Sequence, residues 1–362
     1  MTGAESTQIT ERTQRRSTPM SVPPRLPHLA VALDTPDAPG PFDAQHYIRL
    51  ARLAERGALD FVTLGDTFAR PGPDALAVLA RVAPHTDHIG LVPTVTTTHT
   101  EPFHVATAVQ TLDWVSRGRA GWQADVSRTP AEAALFGRRP AAPADALWRE
   151  AADVADVAGR LWDSWEDDAE IRDAATGRFI DRGKLHYVDF RGTSSTGEPF
   201  SVRGPSIVPR PPQGRPVIVV DATEDAARET AAARADIALV RAEDPDTAAT
   251  ARAELRARAE ELDRDPDRLR VLASLPVELP APGDAAGLAE LLTDWHTTEA
   301  ADGFHLRPAD PERDLAHLVE GTVPVLRRRG LLRRSYPGAT LRDHLGLERP
   351  ASRYAVRTGE AS

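Results

Sequence analysis

Short apolar runs rich in β-branched residues alternate along the chain with stretches whose apolar residues recur every three or four positions. Residues 89–127 show the pattern most clearly. Residues 89–95 (IGLVPTV) read as a strand. Pro102 then opens a helix, a place proline tolerates because its missing N–H would be unpaired there anyway. Val105, Ala108, Val109, Leu112 and Val115 mark one buried helix face, and Ser116, Arg117 and Gly118 end it. Residues 119–126 read as the next strand. Between the first strand and the helix lies Thr96-Thr97-Thr98-His99-Thr100, a run of hydroxyls where a strand ends. In parallel α/β folds ligands bind at such strand ends.

The same rhythm predicts strands at 27–34, 59–64, 216–220, 237–240, 269–279 and 303–306. Helices are expected at 43–56, 73–83, 144–165, 224–234, 245–262, 283–299 and 312–329. Asp43 and Gly57 suit the two caps of the first helix. Eight strand–helix units in series with right-handed crossovers point to a (β/α)8 TIM barrel. A doubly wound open sheet is the alternative, weakened by the lack of a G-x-G-x-x-G after any strand. Residues 166–215 break the rhythm with Gly and Pro clusters and one hairpin around 187–202, a long insertion between helix 4 and strand 5. About fifty residues of this kind read as a functional insertion or lid. The expected organisation is a disordered tail over 1–24, a barrel over 25–347 carrying the insertion, and a C-terminal tail over 348–362.

Composition narrows the classes. The chain has 362 residues and no cysteine, so disulfides, thiolate nucleophiles and Cys-ligated metals are excluded and a cytoplasmic setting is expected. A net charge of −10 argues against nucleic acid. No apolar run approaches the ~18 residues of a membrane span, and 1–24 lacks the apolar segment of a signal peptide. His85 and His88 lack a third ligand, so no metal is expected. Arg327, Arg328, Arg329, Arg333 and Arg334 follow a helix end, where cations offset the dipole. Trp162 and Trp165 are expected to pack the fourth helix on the barrel. No G-x-S-x-G elbow or carboxylate pair suggests hydrolysis.

Four stretches carry a family resemblance: EPFHVATAVQTLDWVSRGRAGW (101–122), LWDSWEDDA (161–169), VRGPSIVPRPPQGRPVIV (202–219), and ADGFHLRP with VPVLRRRGLLRRSYPGATLRDHLGL (301–347). They resemble the nitrilotriacetate monooxygenase / dibenzothiophene-sulfone monooxygenase branch of the bacterial-luciferase-like flavin monooxygenases. The resemblance implies a (β/α)8 barrel, a homodimer, reduced FMN (FMNH2) delivered by a separate reductase, molecular oxygen as co-substrate and oxygenation of a small organic molecule. The flavin then carries the chemistry, and the protein supplies position and dryness.

The resemblance also implies cofactor contacts at Asp66, Thr96, Thr97, Gln123, Trp148 and Thr223. Asp66 ends a strand, where a carboxylate can accept from a flavin N–H or brace a loop. Thr96 and Thr97 match a hydroxyl pair, Gln123 stands where an Asn is usual, and His99 is a nearby acid–base candidate. Asp125, in the same strand as Gln123, points either into the barrel or out to the helices. Three departures stand out. Ala144 and Trp148 occupy positions where His and Tyr are usual. The turn 221–227 (DATEDAA) replaces a glycine-bearing phosphate loop with three acids. Asp221 and Glu224 suit a capping box, and at ~4 Å each acid would repel a phosphate charge by roughly 4 kcal/mol at an effective dielectric of about 20. Thr223 alone offers compensation. The alternative reading is therefore a degenerate, non-catalytic barrel serving as a partner subunit or binding module. A deazaflavin barrel is a third, to which the acidic turn is equally unfavourable. No catalytic side chain is singled out.

Overall fold

The computed structural model describes residues 26–35 and 40–355. Residues 1–25 and 356–362 are outside that range, and with them the tail expected over 1–24. The elements run β1 (His28–Ala32), α1 (Ala44–Arg56), β2 (Phe61–Leu64), α2 (Ala75–Val82), β3 (Gly90–Thr96), α3 (Pro102–Val115), β4 (Gly121–Asp125), α4 (Pro130–Phe136) and α5 (Ala144–Asp163). The interrupting segment holds β5 (Glu170–Asp173), β6 (Arg178–Ile180), β7 (Phe190–Thr193) and β8 (Pro199–Val202). The series resumes with β9 (Val217–Asp221), α6 (Asp225–Arg234), β10 (Ile237–Val240), α7 (Pro245–Glu261), β11 (Arg270–Val277), α8 (Asp284–Thr297) and β12 (Gly303–Pro308). It ends with α9 (Pro311–His317), α10 (Val323–Arg328) and α11 (Leu341–His344).

The eight long-range strands close in the order β1, β12, β11, β10, β9, β4, β3, β2, all parallel. This is the expected (β/α)8 barrel. Alternation along each strand sorts side chains to two faces. Phe61, Val92, Val219, Leu239 and Leu272 fill the interior, and Leu341 and Leu345 around α11 plug its N-terminal end. Trp122 and Ala124 face outward onto Val105, Val109, Leu161 and Trp162 of α3 and α5. Gln123 pairs in register with Thr94 and with the interior residue Val219. Gln123 and Asp125 therefore point into the barrel, which decides the orientation the sequence left open.

Three local features differ from the sequence reading. The interrupting segment forms two hairpins, β5–β6 and β7–β8. The helix expected over 312–329 is divided by a π turn at Leu318–Thr322. Pro324 has no N–H to return to a carbonyl one turn earlier, so the ladder widens there. Helix α4 was not expected, although Thr129 and Glu132 form a reciprocal capping box and Gly137 ends it at φ 62°.

Asp163, at the end of α5, anchors both the interrupting segment and the C-terminal strap. It is fully buried and meets Arg210 at 3.2 Å, Arg215, and Arg353 at 3.3 Å. Arg349 and Arg210 also pair with Asp167, so residues 348–355 fold back onto the barrel. A groove of about 850 Å³ lies at this N-terminal end and is lined by such Arg–Asp pairs, among them Arg342–Asp236.

Candidate functional site

The chemistry gathers at the opposite end, where the strands finish. A cavity of about 210 Å³ opens over β2 and β3, bordered by Asp66, Thr67, Phe68, Thr94, Thr96 and His104. Thr96 is buried and its hydroxyl has no hydrogen-bond partner; Thr94, one step deeper on the same face, is alike. Thr97 behaves differently, because its hydroxyl donates to the Asp125 carbonyl at 3.2 Å and ties β3 to β4. Asp66 accepts from the Ala75 amide at 3.0 Å and so braces the start of α2, and burial raises its pKa. Asp125 accepts from its neighbour's amide, Val126, at 2.7 Å, and burial pushes its pKa up to about 6.

Across the mouth, Trp148 of α5 is buried with its indole N–H unpartnered. The Arg128 guanidinium stands 6.0 Å from its ring centre. Ala144 is the first residue of the same helix. His99 stacks on Phe136 of α4 at 4.6 Å, and burial lowers its pKa. Phe136 also meets Phe68 edge-on at 4.7 Å, so α4 forms an aromatic wall beside the cavity.

The acidic turn after β9 departs from expectation. No capping box forms: Glu224 is the N-cap residue of α6 and makes no side-chain capping hydrogen bond. It is drawn instead to Arg128, which follows β4. Asp221 meets Arg241 at 3.2 Å and accepts from the Thr223 amide at 3.1 Å, while the Thr223 hydroxyl accepts from the Arg241 amide at 3.0 Å. Two arginines thus offset the acids, and Thr223 is not the sole compensation. The full repulsion expected from bare acids does not apply, and no side chain caps the α6 N-terminus, a helix end that favours an anion.

Below this rim lies a polar layer that sequence reasoning missed. His305 of β12 shares hydrogen bonds with Thr63 of β2 at 2.8 Å and Ser274 of β11 at 3.0 Å. Both ring nitrogens are satisfied without a charge, and burial pushes the imidazole down to about 4. The residue type within an apolar strand is the only sequence signal, since its partners are far away in the chain.

The structure is thus a parallel barrel whose mouth carries buried hydroxyls and an indole N–H without partners. The model of the luciferase-like monooxygenase family matches residues 26–320, so the chain belongs to that family. With membership comes the expected class, a flavin-dependent monooxygenase working with FMN and oxygen. It is 28% identical to N-acetyl-S-(2-succino)cysteine monooxygenase of Bacillus subtilis (strain 168), over 88% of this chain and 94% of that one. It is 30% identical to nitrilotriacetate monooxygenase component A of Aminobacter aminovorans, over 86% and 92%. The solved structure of EDTA monooxygenase from Chelativorans sp. BNC1 superimposes with a TM-score of 0.80 at 23% identity, covering 90% of this chain and 99% of that one, and shows the shared fold. These relatives are named for catalysis and lend nothing to the non-catalytic alternative.

Proposed function

We propose that the chain is the oxygenating component of a two-component monooxygenase, which receives reduced FMN from a separate reductase and oxygenates a small organic substrate at the C-terminal mouth of the barrel. The observation that carries this reading is the set of buried polar atoms without partners, Thr94 Oγ1, Thr96 Oγ1 and Trp148 Nε1. A buried donor or acceptor left unpaired costs about 1–3 kcal/mol, so three around one mouth fit a ligand rich in ring nitrogens and carbonyls. FMN meets that description, and its phosphate fits the uncapped α6 N-terminus beside Thr223, Arg128 and Arg241.

In this reading Thr96, with Thr94, meets the flavin ring by its free hydroxyl. Gln123 presents an amide from β4, and Trp148 donates its indole N–H. Asp66 and Thr97, already committed to backbone partners, position the strand ends around the ring. The bound flavin supplies oxygen activation. The chain's own work is to orient flavin and substrate and to keep bulk water out with Phe68, Phe136 and His99. Asp125, with its raised pKa, can hold or release a proton near neutral pH at the same mouth.

The substrate is a small organic molecule held against α4 and the mouth loops, with the insertion over 166–215 anchored beside α5. A homodimer belongs to the same reading, supported by Trp114 and by Val115, which the spacing places on the buried face of α3 but which the last turn of the helix leaves exposed. No helix among the described residues is long and apolar enough to cross a membrane, which accords with action in the cytoplasm. Trp148→Phe tests the reading. The indole N–H makes no bond within the protein, so the cost to folding is that of the buried ring volume removed, about 1–3 kcal/mol, and urea denaturation checks that the variant stays folded. Reduced-FMN affinity is expected to fall about 5- to 10-fold. Unchanged affinity in a fluorescence titration would remove Trp148 from the site.

A further inference from the structure

One cation at the mouth is used by nothing described so far. Arg307 follows His305 by two residues on β12, so both project to the interior face. That His305 does so is fixed by its hydrogen bond to Thr63 on β2, which is not a neighbouring strand. Arg307 therefore stands one layer above the Thr63–His305–Ser274 floor, at the open end of the barrel.

Its surroundings are unusual for a half-buried arginine. The Nε is buried and has no hydrogen-bond partner, and among the described residues no carboxylate forms an ion pair with it. Two neighbouring cations are already matched, Arg128 with Glu224 and Arg241 with Asp221, while Asp66 and Asp125 accept from backbone amides. Burial and the neighbouring Arg241 both disfavour its charge, against a single favourable influence from Asp221. A guanidinium stays charged under such conditions, and a desolvated charge without a partner is costly unless an anion arrives.

Arg307 neighbours Arg241 and Asp221 beside the turn after β9, so the anion has two sources, the substrate and the FMN phosphate, and titration of FMN, riboflavin and the acids distinguishes them. In the closed order β1, β12, β11, β10, β9, β4, β3, β2, strand β12 is four places from β4 in either direction. Arg307 thus stands diametrically across the mouth from Gln123 and Asp125. We propose that Arg307 binds an anionic group of the substrate, so that this enzyme acts on small organic acids bearing a carboxylate, seated between β12 and the flavin side of the barrel. The inference rests on the flavin reading for which side of the mouth is free. A bidentate guanidinium–carboxylate contact fixes the orientation of the acid.

The test is calorimetric titration of flavin-free and FMN-loaded protein with succinate, nitrilotriacetate and the uncharged succinamide, in wild type, Arg307→Gln and Arg307→Lys. FMN and riboflavin are titrated separately by fluorescence. The expected result is carboxylate binding at about 1 mM or tighter, no binding of succinamide, and a loss of about 10- to 100-fold in Arg307→Gln. Arg307→Lys should fall between the two, and FMN affinity should be unchanged in both variants. Equal carboxylate binding by wild type and Arg307→Gln would overturn the proposal, as would no carboxylate binding to wild type. A loss of FMN affinity with riboflavin spared would also overturn it, by making Arg307 a phosphate ligand. If FMN fails to bind wild type while succinate still binds through Arg307, the flavin reading falls and this site stands.

Discussion

Replacing Asp163 by alanine is expected to destabilise the protein by about 3–5 kcal/mol, because removing one side of a buried ion pair strands its partner. The carboxylate is fully buried and meets three guanidinium groups, from Arg210, Arg215 and Arg353. Arg215 and Arg353 are about one-third exposed and can turn to water, whereas the Arg210 side chain is 2% exposed and cannot. After the substitution Arg210 would retain only Asp167 and the Pro350 carbonyl. The consequence extends beyond one charge, since these arginines hold the end of the interrupting segment and the C-terminal strap against α5. Asp163→Asn should lose less, because the amide oxygen still accepts. Urea denaturation of the three proteins checks this; a loss below about 1 kcal/mol for Asp163→Ala would show that the cluster does not hold the base of the barrel together.

The second large effect concerns acid. His305 is buried with its pKa pushed down to about 4, below the ordinary value of 6.5. The unfolded chain therefore takes up a proton before the folded one does. Stability from this residue is complete above about pH 6.5 and is lost as pH falls toward 4, by about 3 kcal/mol. Asp113 and Asp125, both raised by burial to about 6, act in the opposite sense. Their carboxylates disfavour the fold at neutral pH, and protonation between about 6 and 4 relieves it. Between pH 6 and 4 these two carboxylates therefore oppose the effect of His305. His305→Gln keeps a hydrogen-bonding amide between Thr63 and Ser274 and cannot charge, so its stability relative to wild type should rise by about 3 kcal/mol between pH 7 and pH 4. Parallel slopes for the two proteins in urea titrations at both pH values would contradict a neutral, buried His305.

The barrel was legible because burying a strand on both faces demands an apolar run, and burying one helix face demands a three-to-four spacing; residues 89–127 carry both. Helix α4 is equally written in Thr129, Glu132 and Gly137, but at seven residues it is too short for the three-to-four spacing to show. The site was only half legible. Thr96 and Trp148 could be placed at the mouth from strand ends and from the resemblance, but which hydroxyl stays free depended on register: Thr97 is consumed by β4 and Thr96 is not. The turn at 221–227 looked too acidic because Arg128, 96 residues from Glu224, comes from another strand end. The His305 layer depends on a contact spanning 242 residues, and no local pattern announces such a pair.

The central claim is that the mouth of this barrel accepts reduced FMN. Anaerobic equilibrium titration of the purified protein with reduced FMN, set beside oxidised FMN, tests it most directly. The account predicts saturable binding of the reduced form at about 1 µM or tighter, with oxygen then consumed by the loaded protein. No binding at several hundred micromolar (weaker than about −5 kcal/mol) would contradict it, and would mean that the unpartnered hydroxyls and indole serve some other ligand.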